Sequence, residues 1–146
     1  FAEQYLGKLR VNESFTYVNA KIKKVGDDVL ASTTYNFKDG QKIPGVPSTK
    51  VTLGLDYEIA DGLRTTANLN YYSSSVDTYS EKIPSYSTTD LGLKYKHKNG
   101  FGLNAGVKNV FNKKYNVAQG KDPLTGSTVY SPADERTYYI GASYEF

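Results

Sequence analysis

Apolar side chains recur at every second position over much of this chain. In residues 50–59, Val51, Leu53, Leu55, Tyr57 and Ile59 alternate with Thr52, Gly54, Asp56 and Glu58. A period of two places the two sets on opposite faces of a β-strand. The same alternation predicts strands at 1–6, 9–22, 63–78, 86–97, 101–115 and 136–146, seven in all with 50–59. The last sets Tyr138, Ile140, Ala142, Tyr144 and Phe146 against Tyr139, Gly141, Ser143 and Glu145. No segment carries the 3.6-residue period of an amphipathic helix.

The connections alternate in length. Gly7-Lys8, Ala60-Asp61-Gly62 and Asn99-Gly100 are turn signals between closely spaced strands, and Asn-Gly suits the positive φ of a tight hairpin. Between them lie polar stretches at 23–48, 79–85 and 116–135, the first closed by Ile43-Pro44-Gly45-Val46-Pro47. A slip in the alternation at Asn109-Val110-Phe111 predicts a bulge. The predicted strands are long, at roughly 10–15 residues against the usual ~5–6. Ten residues at ~3.3 Å each, tilted by ~40°, span about 25 Å, the apolar height of an outer-membrane barrel. The fold expected is therefore all-β: an antiparallel up-and-down transmembrane β-barrel segment of about seven strands. A soluble sandwich shares the alternation but not the one-sided distribution of long loops. Seven strands cannot close a barrel whose count is even.

Composition sharpens this picture. The 146 residues are only 38% hydrophobic, yet include fourteen Tyr and six Phe with no Trp. Tyr-rich strands suit a sheet with one greasy and one wet side. Arg64, Lys94, Lys96, Asp56 and Glu58 all fall opposite the apolar stripe, as a water-filled lumen requires. Glu13 is the exception, placed with Leu9, Val11, Phe15 and Tyr17; it sits near an interface or the register of that strand is different. A net charge of +3, with no basic cluster interleaved with stacking aromatics, argues against nucleic acid. With no Cys, thiolate chemistry and disulfides are excluded, and no apolar run reaches the length of a spanning helix. The absence of Met and of a signal peptide suggests a piece of something longer.

Catalytic and cofactor chemistry finds no support. His97, the single His, lies beside Lys96, Lys98 and a tight turn and reads as a solvated turn residue. Asp27-Asp28 and Asp134-Glu135 lack a third ligand at metal-binding spacing. There is no Gly-x-Ser-x-Gly elbow and no phosphate loop. The expectation is a protein that is not an enzyme and carries no cofactor or resident metal.

Three stretches resemble the C-terminal barrel of TonB-dependent outer-membrane receptors. Ile43-Pro44-Gly45-Val46-Pro47 ahead of Val51-Thr52-Leu53-Gly54-Leu55-Asp56-Tyr57 is similar to the family's approach to a barrel strand. Gly106-Val107-Lys108-Asn109-Val110-Phe111-Asn112-Lys113-Lys114-Tyr115 resembles its Asn-Leu-Phe-Asp-Lys-Lys-Tyr motif, with Val and Asn replacing Leu and Asp. Residues 136–146 resemble its final strand. The resemblance implies a 22-stranded barrel in the bacterial outer membrane, with residues 1–146 its C-terminal part and the plug domain and N-terminal strands absent. It implies uptake of a scarce nutrient such as an iron–siderophore, haem or cobalamin, and contact with TonB through a missing N-terminal region. Tyr35, Phe37, Tyr79, Tyr130 and Arg136 in the long loops become candidate ligand contacts. Tyr138, Ile140, Ala142, Tyr144 and Phe146 become a lipid face and a signal for the barrel-assembly machinery, which captures a last strand by edge pairing. The alternatives are a passive porin-like barrel and a soluble Tyr-rich β-module such as an adhesin or carbohydrate binder. Upstream sequence separates the first, and behaviour without detergent the second.

Overall fold

The computed structural model describes residues 1–26 and 37–145. Its strands are β1 (Ala2–Leu6), β2 (Leu9–Tyr17), β3 (Thr49–Ala60), β4 (Leu63–Tyr72), β5 (Ser75–Val76), β6 (Lys82–Ile83), β7 (Tyr86–Lys96), β8 (Phe101–Lys108), β9 (Asn116–Lys121), β10 (Thr128–Pro132) and β11 (Thr137–Tyr144). No helix occurs among the described residues. Seven strands form one antiparallel sheet in the order β1-β2-β3-β4-β7-β8-β11; β5-β6 and β9-β10 are separate two-stranded hairpins. All seven sequence-predicted strands are present.

Their ends differ from the sequence expectation. β2 stops at Tyr17 rather than at 22, β4 at Tyr72 rather than 78, and β8 at Lys108 rather than 115. In each case the chain leaves the large sheet to build the long-connection end. The 79–85 and 116–135 stretches, expected as plain loops, contain β6 and the whole β9–β10 hairpin. The slip after Lys108 is a turn: Asn109 and Asn112 have φ of 50° and 51°, while the Val110 amide still donates to the Thr89 carbonyl at 2.8 Å. Asn tolerates this left-handed conformation better than most residues.

Register fixes two unlike faces. One row across the sheet runs Val11, Leu55, Ala67, Leu91, Val107, Tyr138, and the next along the strands runs Leu9, Tyr57, Thr65, Leu93, Ala105, Ile140. The opposite face carries Arg10, Asp56, Thr66, Gly92, Gly106 and Tyr139 in one row. Aromatics sit at both ends of the apolar face. Phe15, Tyr17 and Tyr71 are exposed towards the long connections, and Tyr57, Tyr95, Phe101 and Tyr144 towards the short turns. Eight residues of β4 separate Tyr71 from Leu63, the cross-strand partner of Tyr95. At ~3.3 Å per residue and ~40° of tilt that is about 20 Å, the scale of an apolar band between two aromatic girdles. Glu13 does lie on this face, between Ala2 and Leu53 in register, exposed and without an ion pair among the described residues. The strand register was therefore right. A lipid-facing Glu costs less than a Lys or Arg there, and least towards the interface that Phe15 marks.

Among the described residues nothing covers either face. The accessible surface is 10192 Å², against about 7,500 Å² for a compact protein of this mass. The buried apolar side chains among the described residues, Val25 and Ile83, both lie in the long connections rather than on the large sheet. A lone sheet is held in shape by its ladder and by devices on its faces. One is Tyr139, whose ring lies along the wall so that a Cβ on Gly106 would meet its Oη and Cζ at 2.5 and 2.6 Å, and one on Gly92 would meet the Oη at 3.1 Å. The glycines make room for the ring, and the ring shields backbone that they leave bare.

Leu91→Arg on the apolar face is expected to destabilise the intact protein in lipid vesicles by roughly 2–4 kcal/mol. Thr88→Arg on the other face is expected to stay within about 0.5 kcal/mol. Urea unfolding of the two variants measures this; equal costs would mean that the faces do not meet different solvents.

Candidate functional site

Two regions concentrate polar groups: the polar face of the large sheet, and the cap built by the long connections. On the sheet, Asp56 is 7% exposed and accepts from Arg10 Nη2 at 3.1 Å and Arg64 Nε at 2.7 Å. Glu3 pairs with Arg10 at 3.5 Å and Glu58 with Arg64 at 3.6 Å. Register creates this chain of charges, because Arg10 stands opposite Asp56 and Glu58 opposite Arg64. Removing Asp56 would leave two guanidinium groups facing one another, the costly way to break a partly buried network. Towards the long connections, Tyr72, Tyr86 and Tyr115 stack in file with centroids 4.9 and 3.9 Å apart, and Lys50 Nζ lies 5.2 Å from the Tyr72 centroid. Burial, followed by the nearby Tyr72, Asp90 and Asp134, raises the Tyr115 phenol above its ordinary 10.0.

The cap is one interlocked unit. Asp77, 2% exposed, takes the Tyr79 and Glu81 backbone amides on Oδ1 at 2.9 and 2.8 Å and Gln119 Nε2 on Oδ2 at 3.3 Å. It thus turns the β5–β6 hairpin and ties it to β9. Lys121 reaches Glu81 at 2.7 Å, and that carboxylate raises the Lys121 ammonium above its ordinary 10.5. On the other side Gln41 Nε2 donates to Ser80 Oγ at 2.8 Å, and the Gly45 amide to the Val76 carbonyl at 2.8 Å. The Ile-Pro-Gly-Val-Pro stretch is therefore a docking segment for β5. At the tip of β9–β10, Asp122 accepts the Leu124 and Thr125 amides at 2.8 and 3.1 Å, which hold its carboxyl below the ordinary 3.8.

The Asn109–Tyr115 motif is a knot between β8 and β11. The Asn109 side chain, 5% exposed, accepts the Lys113 amide at 2.8 Å and donates to the Lys113 carbonyl at 2.9 Å and the Asp134 carbonyl at 3.4 Å. Its own amide donates to Asp90 Oδ1 at 2.8 Å, and Asn112 Oδ1 accepts the Arg136 amide at 2.8 Å.

The sequence-predicted ligand contacts do not converge in one place. Tyr79 sits at the β5–β6 tip beside a cavity of about 420 Å³ lined by Lys38, Asp39, Gly40, Gln41 and Ser80. Tyr130 is exposed on β10, and Arg136 lies at the base of β11. Phe37 is half-buried; Tyr35 lies outside the described residues, as do Asp27, Asp28 and Phe146. Tyr138, Ile140 and Tyr144 are exposed on the apolar face, with Ala142 between Ile140 and Tyr144. His97 closes the β7–β8 turn, its Nδ1 accepting from the Asn99 amide at 3.3 Å. Among the described residues no three His, Cys, Asp or Glu side chains gather as a metal site.

Asn109→Ala removes these bonds and keeps a Cβ at positive φ, so a loss of about 2 kcal/mol or more is expected, with Asn109→Gly recovering only the backbone share. Denaturant unfolding of the intact protein checks both. For Asp122 the folded pKa is lowered, so its contribution is present above the ordinary carboxylate range and is lost as pH falls through the folded value. The protection of the Leu124 and Thr125 amides, taken as the exchange rate relative to the intrinsic rate at each pH, is expected to hold at pH 5 and to fall only in stronger acid.

Solved structures share this architecture. The chain aligns with FecA, a ferric citrate transporter, at a TM-score of 0.74 and 24% identity, over 95% of this chain and 21% of that one. It aligns with Fiu, the ferric-catecholate import receptor of E. coli K12, at 0.71 and 21% identity, over 97% and 19%. With BauA, the ferric preacinetobactin receptor of Acinetobacter baumannii, the values are 0.70 and 23%, over 97% and 20%. At these identities the likeness establishes the fold, a portion of a large barrel wall, and the chain spans about a fifth of the length of the structures it matches. A family model described as TonB dependent receptor-like, beta-barrel matches residues 2–110. The family consists of outer-membrane receptors and transporters rather than enzymes, and this chain belongs to it.

Proposed function

We propose that residues 1–146 form the C-terminal part of the barrel wall of an outer-membrane receptor that imports a metal chelate, with iron–siderophore complexes the favoured class. The observation that carries this reading is the two-faced single sheet itself. Its apolar face is banded by aromatics at both ends, its polar face is laced with ion pairs, and its long connections are gathered at one end. Solved barrels of the same shape include receptors for ferric citrate, ferric catecholates and ferric preacinetobactin. In this arrangement the apolar face meets lipid, the polar face lines the lumen, and the capped end faces outwards. The plug and the segment that contacts TonB belong to the rest of the protein. Ligand capture falls to the cap, where Tyr79 and Tyr130 offer aromatic faces and Arg136 a cation to an anionic chelate, with Tyr35 and Phe37 on the first long loop. Tyr138, Ile140, Ala142, Tyr144 and Phe146 form the lipid face of the last strand and the edge taken up by the barrel-assembly machinery.

Binding of the ferric complexes of citrate, a catecholate and a hydroxamate to the purified full-length receptor, with uptake of the same labelled complexes by energised cells, tests this. One complex is expected to bind and to enter only when TonB is present. Tyr79→Ala, Tyr130→Ala and Arg136→Ala are each expected to raise its Kd several-fold at unchanged surface levels. Deleting Phe146 should instead lower surface levels and leave the affinity of the assembled receptor alone. Uptake independent of TonB would point to a passive channel.

A further inference from the structure

The file of Tyr72, Tyr86 and Tyr115 is built in unequal steps. Tyr72 and Tyr86 are cross-strand partners of β4 and β7, and their ring centroids stand 4.9 Å apart. Tyr115 arrives from the far side of the Asn109 knot. Its centroid lies only 3.9 Å from that of Tyr86, with the ring planes 17° apart. Backbone bonds fix this approach: the Asn109 side chain holds Lys113, and the Ala133 amide donates to the Tyr115 carbonyl at 3.0 Å. Charge is also unequal along the file. Lys50 Nζ stands over the Tyr72 ring, 5.2 Å from its centroid, and opposes any positive charge that develops there. At the other end Asp90 accepts the Asn109 amide at 2.8 Å, and its charge and that of Asp134 act on the Tyr115 phenol. An electron is therefore lost more readily from the Tyr86–Tyr115 end, where carboxylates stand ready for the phenol proton. Tyr5, Tyr17, Tyr57, Tyr130 and Tyr138 are more open to an oxidant, but none stacks on a second tyrosine among the described residues.

We infer that Tyr86 and Tyr115 form an oxidative cross-linking site, which a one-electron oxidant closes as a carbon–carbon bond between the two rings. Two equivalents of oxidant, such as radicals derived from peroxide, each take one electron and are reduced. Each phenol loses its O–H proton, to a neighbouring carboxylate or to water, and becomes a phenoxyl radical. The radicals couple at ring carbons ortho to the oxygens, and the hydrogens on those carbons move to the oxygens to restore two phenols. The net loss is two electrons and two protons, and the product is a dityrosine. Stacking at 3.9 Å brings the ortho carbons together after a small slide of one ring over the other. The link closes residues 86–115 into a covalent loop and fastens β7 to the root of the β9–β10 hairpin, where no ladder bond joins them. None of this depends on which chelate the receptor binds.

Photo-oxidation of the full-length receptor in lipid vesicles, with a ruthenium tris-bipyridyl sensitiser and persulfate, tests this. Mass spectrometry of the digest is expected to find Tyr86 joined to Tyr115 with the loss of two hydrogens. Its yield should exceed that of any other tyrosine pair at least fivefold, Tyr72–Tyr86 included. Tyr86→Phe and Tyr115→Phe keep the stack and are each expected to abolish the link, whereas Tyr72→Phe leaves it in place. Lys50→Ala is expected to raise the Tyr72–Tyr86 product at least twofold. In the linked receptor, amide exchange across residues 113–121 should slow at least tenfold. The same link is expected in receptor recovered from cells given hydrogen peroxide. Dityrosine spread over exposed tyrosines such as Tyr17, Tyr57 and Tyr130, or formed mainly between molecules, would overturn the inference. So would a Tyr86–Tyr115 yield that is unchanged in urea-unfolded receptor, or its absence after peroxide in cells.

Discussion

A sheet one layer thick has no interior, and this constraint governs everything else in the molecule. In a sandwich or an α/β domain the hydrophobic effect acts inward, and side chains on the hidden face protect one another from water. Here the face carrying Leu55, Leu91, Val107 and Ile140 has no second layer, so its stability depends on a solvent that is itself apolar. The polar face faces the reverse problem, and its carboxylates are met by guanidinium groups delivered by strand register. Fold and location are then one statement. The sheet is coherent only where two different solvents meet.

That constraint also explains what was legible in the sequence. A period of two survives in β3, β4, β7 and β8 because a misplaced side chain there enters the wrong solvent. Glu13 shows that the rule tolerates an exception close to an interface, and there the apparent irregularity was real while the register was sound. The long connections obey no such rule. Asn116–Lys121 and Thr128–Pro132 have no buried face to impose alternation, and β5 and β6 are two residues each. What organises them is side-chain acceptors aimed at backbone amides, as at Asp77 and Asp122. Asp122-Pro123 and Thr125-Gly126 are turn signals, but the strands flanking them carry no mark of their own in the sequence.

Site residues divide in the same way. His97 lies in the β7–β8 turn where the sequence placed it, since local neighbours decide that question. The Arg10–Asp56 contact and the Tyr72–Tyr86–Tyr115 file were not visible, because their members are separated by long connections and meet only once register is known. The Asn109 motif lies between these cases. Its residues stood out as a family resemblance, and the bonds that show their work, fastening β8 to β11, appear only in the structure.

Every pairing in the large sheet joins strands that follow one another along the chain once the two small hairpins are set aside. Those hairpins leave and rejoin the wall at fixed points, Tyr72 to Tyr86 and Lys108 to Thr137, so their length has no bearing on the ladder below. The wall can then be inherited almost unchanged while the cap is lengthened, shortened or exchanged as a cassette. A change confined to either excursion leaves every pairing of the wall in place.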